Sequence, residues 1–200
     1  KVVGRGTAQL AGLQAGAALD VLGPLGNEFT VPPGTRELLL VAGGIGVPPV
    51  IALAEALAAR PSRRPAMAAF LGGGSKADVL CAADFRRVGA RVRIATEDGS
   101  AGERGLVTEL LERHLEGRSS AGRAIYACGP PGMLRRVAEV AAAHEVPCQL
   151  SMEAPMGCGI GICMGCAIPV RWPEADGGEA VRYRLCCKDG PVFEAGEVLW

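Results

Sequence analysis

Cys158, Cys163 and Cys166 stand at the spacing Cys-x4-Cys-x2-Cys, and an adjacent pair, Cys186-Cys187, follows further on. Three thiolates so spaced, with a distant fourth, make the ligand pattern of [2Fe–2S] centres of the plant ferredoxin type. Four thiolates and two sulfides around two ferric ions carry a net charge of about −2, so the enclosing loop must turn backbone N–H groups toward sulfur. Gly157, Gly159, Gly161 and Gly165 alternate with the cysteines and allow the positive φ values such a loop needs. Successive strand residues point to opposite faces, so Cys186 and Cys187 are not expected to ligate together. The Asp189-Gly190-Pro191 turn would hold Cys187 at a strand end, which favours it. The expected metal ligands are therefore Cys158, Cys163, Cys166 and Cys187. Structural zinc is the alternative, since a Cys-x2-Cys pair with a distant partner also suits tetrahedral Zn²⁺. A Rieske centre needs two histidine ligands. The chain has only His114 and His144, both in helix candidates remote from this loop and expected as exposed or helix-end side chains. The cubane spacing Cys-x2-Cys-x2-Cys-x3-Cys is absent.

A second chemistry lies upstream. Gly43-Gly44-Ile45-Gly46-Val47-Pro48-Pro49 follows an apolar run and opens an amphipathic one, a place where backbone N–H groups and a helix N-terminus can cradle a pyrophosphate. Cys128-Gly129-Pro130-Pro131-Gly132-Met133 makes a similar junction, and Glu97-Asp98-Gly99-Ser100 follows another apolar run. Glu97 and Asp98 can accept ribose hydroxyls and would repel a 2′-phosphate, which favours NAD over NADP.

These junctions need a sheet to bring them together. Between Glu37 and Ser151 the chain alternates strand candidates (Leu38–Ala42, Met67–Gly72, Val92–Thr96, Ala124–Cys128, Cys148–Met152) with helix candidates (Pro49–Ala59, Ala82–Val88, Leu106–His114, Met133–His144). Short continuous apolar strands separated by helices predict an α/β fold with a five-stranded, doubly wound parallel sheet. In such sheets ligands bind beyond the carboxyl ends of the strands, where all three junctions fall. Residues 1–36 differ, with a short helical stretch at Ala8–Leu13 and turn-rich sequence at Gly23–Asn27. After Ser151 the composition shifts to glycine and cysteine, and Arg171–Arg184 reads as a hairpin turning at Asp176-Gly177-Gly178.

Composition excludes several classes. Apolar residues make up 49% of 200, which supports a core and rules out a disordered chain. Twenty-one basic side chains balance 21 acidic ones, so no global field draws in nucleic acid or an anionic membrane. The longest uncharged run, Leu38–Ala54, is broken by glycines and prolines and falls short of a membrane span. No basic-then-apolar leader opens the chain, which begins at Lys1 in mid-pattern, so further residues are expected upstream. Clustered rather than dispersed cysteines suit a cytoplasmic metalloprotein better than a disulfide-stapled secreted one.

Taken together, the chain resembles the ferredoxin reductase-like flavoproteins, and among them the electron-transfer subunits of the type B dihydroorotate dehydrogenases. The likeness covers nearly all of the sequence. It is carried by Gly4-Arg5-Gly6-Thr7, Gly23-Pro24-Leu25-Gly26-Asn27, Gly43-Gly44-Ile45-Gly46, Asp98-Gly99-Ser100, Cys128-Gly129-Pro130 and Ser151-Met152-Glu153. Most specific are Cys158-Gly159-Ile160-Gly161-x-Cys163 and Cys187-Lys188-Asp189-Gly190-Pro191-Val192-Phe193, the second of which also supports Cys187 as fourth ligand.

The resemblance implies three modules: a flavin-barrel remnant at 1–36, an NAD-binding domain at 37–151 and a [2Fe–2S] domain at 152–200. It implies an FMN-containing catalytic partner that oxidises dihydroorotate, in an assembly of two copies of each subunit. Electrons would then pass through [2Fe–2S] and FAD to NAD⁺ in pyrimidine biosynthesis. By the same likeness, Gly6 and Thr7 would contact FAD phosphates, with Gly4 shaping their turn. Gly43, Gly44 and Gly46 would hold the NAD pyrophosphate and Asp98 the ribose. Cys128 and Gly129 would lie near the nicotinamide, and Glu153 near the flavin. No acid–base catalyst is expected in this chain. Three departures stand out: most of the barrel, including its Arg-x-x-Ser/Thr flavin motif, is missing; Pro48-Pro49 adds a proline to the pyrophosphate turn; and Arg171–Arg184, with Trp172-Pro173, reads as a lengthened hairpin. A subunit of another ferredoxin:NAD(P) reductase or hydrogenase complex is the alternative that keeps the cofactors. A zinc-stabilised nucleotide-binding module is the alternative without redox chemistry.

Overall fold

The computed structural model describes residues 2–60, 64–174 and 177–200. A short helix α1 (Arg5–Ala11) precedes an irregular stretch; then β1 (Glu37–Gly43), α2 (Val47–Ala58), β2 (Ala66–Gly73), α3 (Ala82–Arg87) and β3 (Arg91–Thr96) alternate. The two-residue β4 (Glu103–Arg104), α4 (Val107–Leu115), β5 (Arg123–Cys128), α5 (Pro131–Ala143) and β6 (Cys148–Ser151) complete the alternation. The C-terminal part adds β7 (Ala167–Pro173), β8 (Glu179–Leu185) and β9 (Val192–Glu194).

The main sheet runs β4-β3-β2-β1-β5-β6-β9, parallel except for β9, which pairs antiparallel to β6. The five expected strands form its centre, and two short edge strands extend it to seven. Neither edge strand was legible: β4 has two residues and β9 three, too few for a period to show. The pairing of β9 with β6 carries the sheet past Ser151, so the C-terminal segment is continuous with the α/β unit.

Both faces of the central strands are covered, which is why they read as unbroken apolar runs. Leu38, Leu40 and Ala42 pack with Val50, Ala54 and Leu57 of α2 and Phe85 of α3. Leu39 and Val41 pack on the opposite face with Leu110 and Leu111 of α4 and Leu134 and Val137 of α5. Truncating a leucine buried this completely costs about 2–5 kcal/mol. The helix α2 starts two residues before Pro49, because prolines at its second and third positions lack only N–H groups that have no helical partner there.

Residues 2–36, expected as a barrel remnant, contain α1 and no strand among the described residues. With no strand beside them, Val3, Val21 and Leu22 are exposed. Asn27 anchors this segment to the C-terminal part. Its side-chain amide donates to Asp189 O at 3.1 Å and Val192 O at 2.8 Å, and its Oδ1 accepts from Val192 N at 2.8 Å. Gly26, at φ +73°, makes the approach possible, since a Cβ there would lie 2.3 Å from Gly190 O. The hairpin is present as β7–β8, in register from Ala167↔Leu185 to Pro173↔Glu179. Asp176 of its expected turn lies outside the described residues, while Glu174 accepts from Gly177 N and donates to Gly178 O.

His114 lies in the last turn of α4, at a helix end as expected, but it is buried. It is 8% exposed, edge-on to Phe70 with ring centroids 5.3 Å apart, and its Nε2 lies 3.5 Å from Glu37 Oε1. The amphipathic period of α4 turns this position inward, where α4 packs over β1 and β2. Burial holds its pKa below the ordinary histidine value, partly offset by the Glu37 carboxylate. The folded state therefore binds this proton more weakly than the unfolded chain, and stability is lost as pH falls below about 6.5 and on through the depressed folded value. Denaturant midpoints at pH 7.5 and 5.5 should differ more for the wild-type chain than for His114→Leu; equal differences would remove His114 from the acid sensitivity.

Candidate functional site

A cleft of about 800 Å³ opens beyond the carboxyl ends of the strands, bordered by the exits of β1, β2, β3, β5 and β6. At about 4.8 Å between neighbouring strands, the four gaps from β3 to β6 span roughly 19 Å, the scale of an extended dinucleotide. Its floor is glycine: Gly43, Gly44, Gly46, Gly72, Gly73, Gly74, Gly105, Gly129 and Gly132 all border it.

Those glycines do two jobs. A Cβ on Gly46 would lie 2.5 Å from Cys128 O, one on Gly43 2.8 Å from Pro130 Cδ, and one on Gly129 3.0 Å from Gly43 N. These three let the β1 and β5 exits touch where the sheet reverses direction, the crevice in which doubly wound sheets bind ligands. Gly44 is different: its φ is +52°, and a Cβ there would meet nothing within 4 Å. It turns the backbone while leaving the cleft open.

The N-terminal turns of α2, α4 and α5 all border the cleft, through Gly46, through Leu106, Val107 and Thr108, and through Pro130, Gly132 and Met133. Each brings unpaired N–H groups and the positive end of a helix dipole, suited to phosphate oxygens. In α2, Pro48 and Pro49 remove two of those donors, so the Gly44–Val47 amides carry that side. Arg136 is the one basic residue among those bordering the cleft, held at 2.8 and 2.9 Å by both carboxylate oxygens of Glu112.

Three carboxylates border the cleft: Asp78 after β2, Glu97 after β3 and Glu153 after β6. Asp98 does not. Its Oδ1 accepts from Ser100 N at 2.9 Å and Ser100 Oγ at 2.6 Å, bonds that hold its pKa below the usual carboxylate value. Asp98 Oδ1, expected to meet a ribose, is engaged within its own turn, and Glu97 borders the cleft. Asp78 was missed, although Ser75-Lys76-Ala77-Asp78 after a strand is a capping-box signal. The Asp78 Oδ2 accepts from Ser75 N at 3.0 Å and Ser75 Oγ at 3.1 Å.

Cys128, expected near the nicotinamide, is not among the residues that border the cleft. It is 2% exposed and packs with the α2 face, and burial pushes its thiol up to about 11 despite a hydrogen bond with Ser151. Gly4 caps α1 and Gly6 and Thr7 lie in its first turn, all outside the cleft lining. The Thr7 hydroxyl accepts from Val3 N and Gly4 N and donates to Gly4 O, so its polar capacity is turned into the helix cap.

The cysteines gather in the C-terminal lobe as two pairs. The Cys158 sulfur accepts N–H bonds from Cys163, Ile160 and Ile162 and interacts with the Cys163 thiol, which together hold its pKa down to about 6. Cys166 and Cys187 share a side-chain hydrogen bond, which raises the Cys187 pKa, and the Cys187 amide donates to Cys166 Sγ at 3.4 Å. Gly161 takes φ +81°, a left-handed backbone that favours glycine, and packs against the Lys188 side chain. Among the described residues no three His, Cys, Asp or Glu side chains converge to hold a single metal ion. Two thiol pairs wrapped in inward N–H groups could hold a two-iron cluster. Cys186 faces away, buried, with its Sγ 3.1 Å from Met152 O.

Residues 40–139 match the family described as the oxidoreductase NAD-binding domain, and residues 153–199 match the iron–sulfur cluster binding domain of dihydroorotate dehydrogenase B. The chain is 36% identical over 200 residues to the dihydroorotate dehydrogenase B (NAD(+)) electron transfer subunit of Desulforamulus reducens, covering all of this chain and 72% of that protein. The chain belongs to the dihydroorotate dehydrogenase B electron-transfer subunit family. Its Bacillus caldolyticus relative is 44% identical over 199 residues, 98% of this chain and 71% of the relative. Among solved structures, an NADH-dependent reduced ferredoxin-NADP oxidoreductase studied for flavin-based electron bifurcation superposes with TM-score 0.79 at 29% identity, over 100% of this chain and 67% of that one. The cytochrome b5 reductase domain of Ulva prolifera nitrate reductase, at TM-score 0.57 and 20% identity over 69% of this chain and 62% of that one, shares the fold.

The two classes of glycine separate experimentally. Gly46→Ala should destabilise the chain by about 3 kcal/mol, at the upper end for overpacking. Gly44→Ala should cost about 1 kcal/mol for its left-handed backbone and instead weaken nucleotide binding. Denaturation and NADH titration of both variants check this; equal stability losses would contradict the division.

Proposed function

We propose that this chain moves electrons between a [2Fe–2S] cluster held by Cys158, Cys163, Cys166 and Cys187 and a nicotinamide dinucleotide in the glycine-floored cleft. It is an oxidoreductase electron-transfer subunit, as its family membership states. One observation carries the geometry: the three residues Ser151-Met152-Glu153 lead from the end of β6, past the cleft, directly into the cysteine lobe. When bound, these groups supply complementary chemistry: one-electron exchange at the cluster, hydride exchange at the nicotinamide, and interconversion of the two at a flavin.

The chain's residues hold and orient those groups. Inward N–H groups in the 158–163 loop and at Cys187 offset thiolate charge, and the paired sulfurs suit two irons better than one zinc ion. The nicotinamide end belongs beside Glu153, on the cluster side, because that is where electrons arrive. Gly43, Gly44 and Gly46, with the three helix N-termini, then lie along the pyrophosphate, and Gly129 lies toward the nicotinamide. The adenosine end falls between Asp78 and Glu97, whose carboxylates accept ribose hydroxyls and repel a 2′-phosphate.

FAD enters this reading from the flavin chemistry of the structural relative. The Gly4–Thr7 turn would reach only its phosphate end. In functional terms residues 1–36 form the flavin-side segment, 37–151 the NAD unit and 152–200 the cluster lobe, with β9 of the lobe built into the sheet. The reading extends to an FMN-containing catalytic partner that oxidises dihydroorotate, two copies of each subunit, and work in the cytoplasm. Eight free cysteines, and no helix among the described residues long and apolar enough to cross a membrane, accord with it.

The deciding test is an anaerobic visible and EPR spectrum before and after dithionite. A red-brown protein yielding a one-electron S = 1/2 signal on reduction is expected; a colourless protein containing zinc would end the electron-transfer reading. Nucleotide choice gives a second test. Asp78→Asn and Glu97→Gln should each narrow the preference for NADH over NADPH by about fivefold, and Asp98→Asn should leave it unchanged. An effect confined to Asp98→Asn would overturn the placement of the adenosine end.

A further inference from the structure

Cys186 is the cysteine that the cluster does not use. It is 0% exposed, and its backbone N–H donates to Cys166 O at 3.0 Å, which fixes it against the cluster loop. Its sulfur makes two contacts with a different part of the chain: it donates to Met152 O at 3.1 Å and accepts from the Ala154 N–H. Those are the two peptide groups that flank Glu153, the carboxylate bordering the cleft. Met152 N donates to Pro191 O at 2.8 Å, so both peptide groups of Met152 are tied to the cluster lobe. The Met152 side chain packs against the α4–α5 core and against both small clusters of the lobe.

We propose that Cys186 is a positioning residue: its sulfur clamps the peptides on either side of Glu153 and aims that carboxylate into the cleft from the cluster side. The inference rests on the reading that the cleft takes a nicotinamide dinucleotide. A carboxylate held at the nicotinamide end favours the cationic oxidised ring over the neutral reduced one. The clamp therefore bears on the balance between NAD⁺ and NADH affinity. It also links that balance to the lobe, since the residue after Cys186 is the expected cluster ligand Cys187. A thiol suits the task because one atom both donates and accepts. Serine preserves both capacities and alanine neither.

The experiment uses the full chain with its cluster in four forms: Cys186→Ala, Cys186→Ser, Glu153→Gln and the Cys186→Ala/Glu153→Gln double variant. NAD⁺ and NADH dissociation constants are measured anaerobically, with iron content and the EPR signal recorded for each. Cys186→Ala should keep iron and EPR signal and weaken NAD⁺ by about fivefold and NADH by less, whereas Cys186→Ser should lie within about twofold of wild type. Glu153→Gln should reproduce the change, and the double variant should add nothing to it. Loss of the cluster in Cys186→Ala, unchanged NAD⁺ affinity, or multiplied effects in the double variant would each overturn the proposal. Amide exchange separates the clamp from the dinucleotide reading. The Ala154 N–H should exchange faster in Cys186→Ala than in wild type or Cys186→Ser, with or without nucleotide, and unchanged exchange would refute the clamp. Failure of the wild-type chain to bind either nucleotide, with the exchange result intact, would instead overturn the cleft assignment.

Discussion

Two backbone turns touch at the centre of the sheet, and the cleft exists because they do. The exits of β1 and β5 diverge onto opposite faces, α2 one way and α5 the other, and between them a Cβ on Gly46 would sit 2.5 Å from Cys128 O. The contact closes the floor of the crevice while the two helix N-termini stay aimed into it. A side chain there would force the strands apart and separate the amide donors that face a phosphate. Close packing thus accounts for Gly43, Gly46 and Gly129, which a motif search would credit to the ligand alone. Gly44 is left as the position where backbone conformation serves the open cleft.

The cluster lobe solves a different problem. It must hold thiolates near one another in a region with little apolar mass, and it does so with turns, inward N–H groups and a border with the sheet. That border is extensive: β9 pairs with β6, Asn27 bridges to Asp189 and Val192, and Met152 packs against three clusters. The lobe is therefore an extension of the α/β unit rather than an appended bead. For electron transfer the consequence is direct, because the segment that enters the lobe is the one that carries a cleft carboxylate.

The buried cysteines show how context divides one residue type. Cys128 and Cys186 are pushed up to about 11 by burial and act as small buried groups or hydrogen-bond donors. Cys158, bathed in backbone N–H groups, is held down to about 6. Adjacent Cys186 and Cys187, in the turn that follows β8, make different contacts, one with Met152 and the other with Cys166.

Much of this was legible in the primary structure. Continuous apolar runs between amphipathic ones specify a parallel sheet because both its faces are buried, and the cysteine spacing specifies a cluster loop because thiolates and glycines are needed together. The two edge strands were not legible, since pairing with a long neighbour stabilises segments too short to show a period. The helix-end place of His114 was legible but its burial was not, because one side chain on an amphipathic helix gives no sign of how far the facing strands cover it. Within the acidic turn, sequence named both carboxylates, but only the folded chain turned Asp98 onto Ser100 and Glu97 into the cleft. Residue type and local spacing determined which chemistry the chain can do. Tertiary structure decided which of those residues face one another, because a side chain's direction depends on packing between segments far apart in sequence, and local pattern carries no record of that.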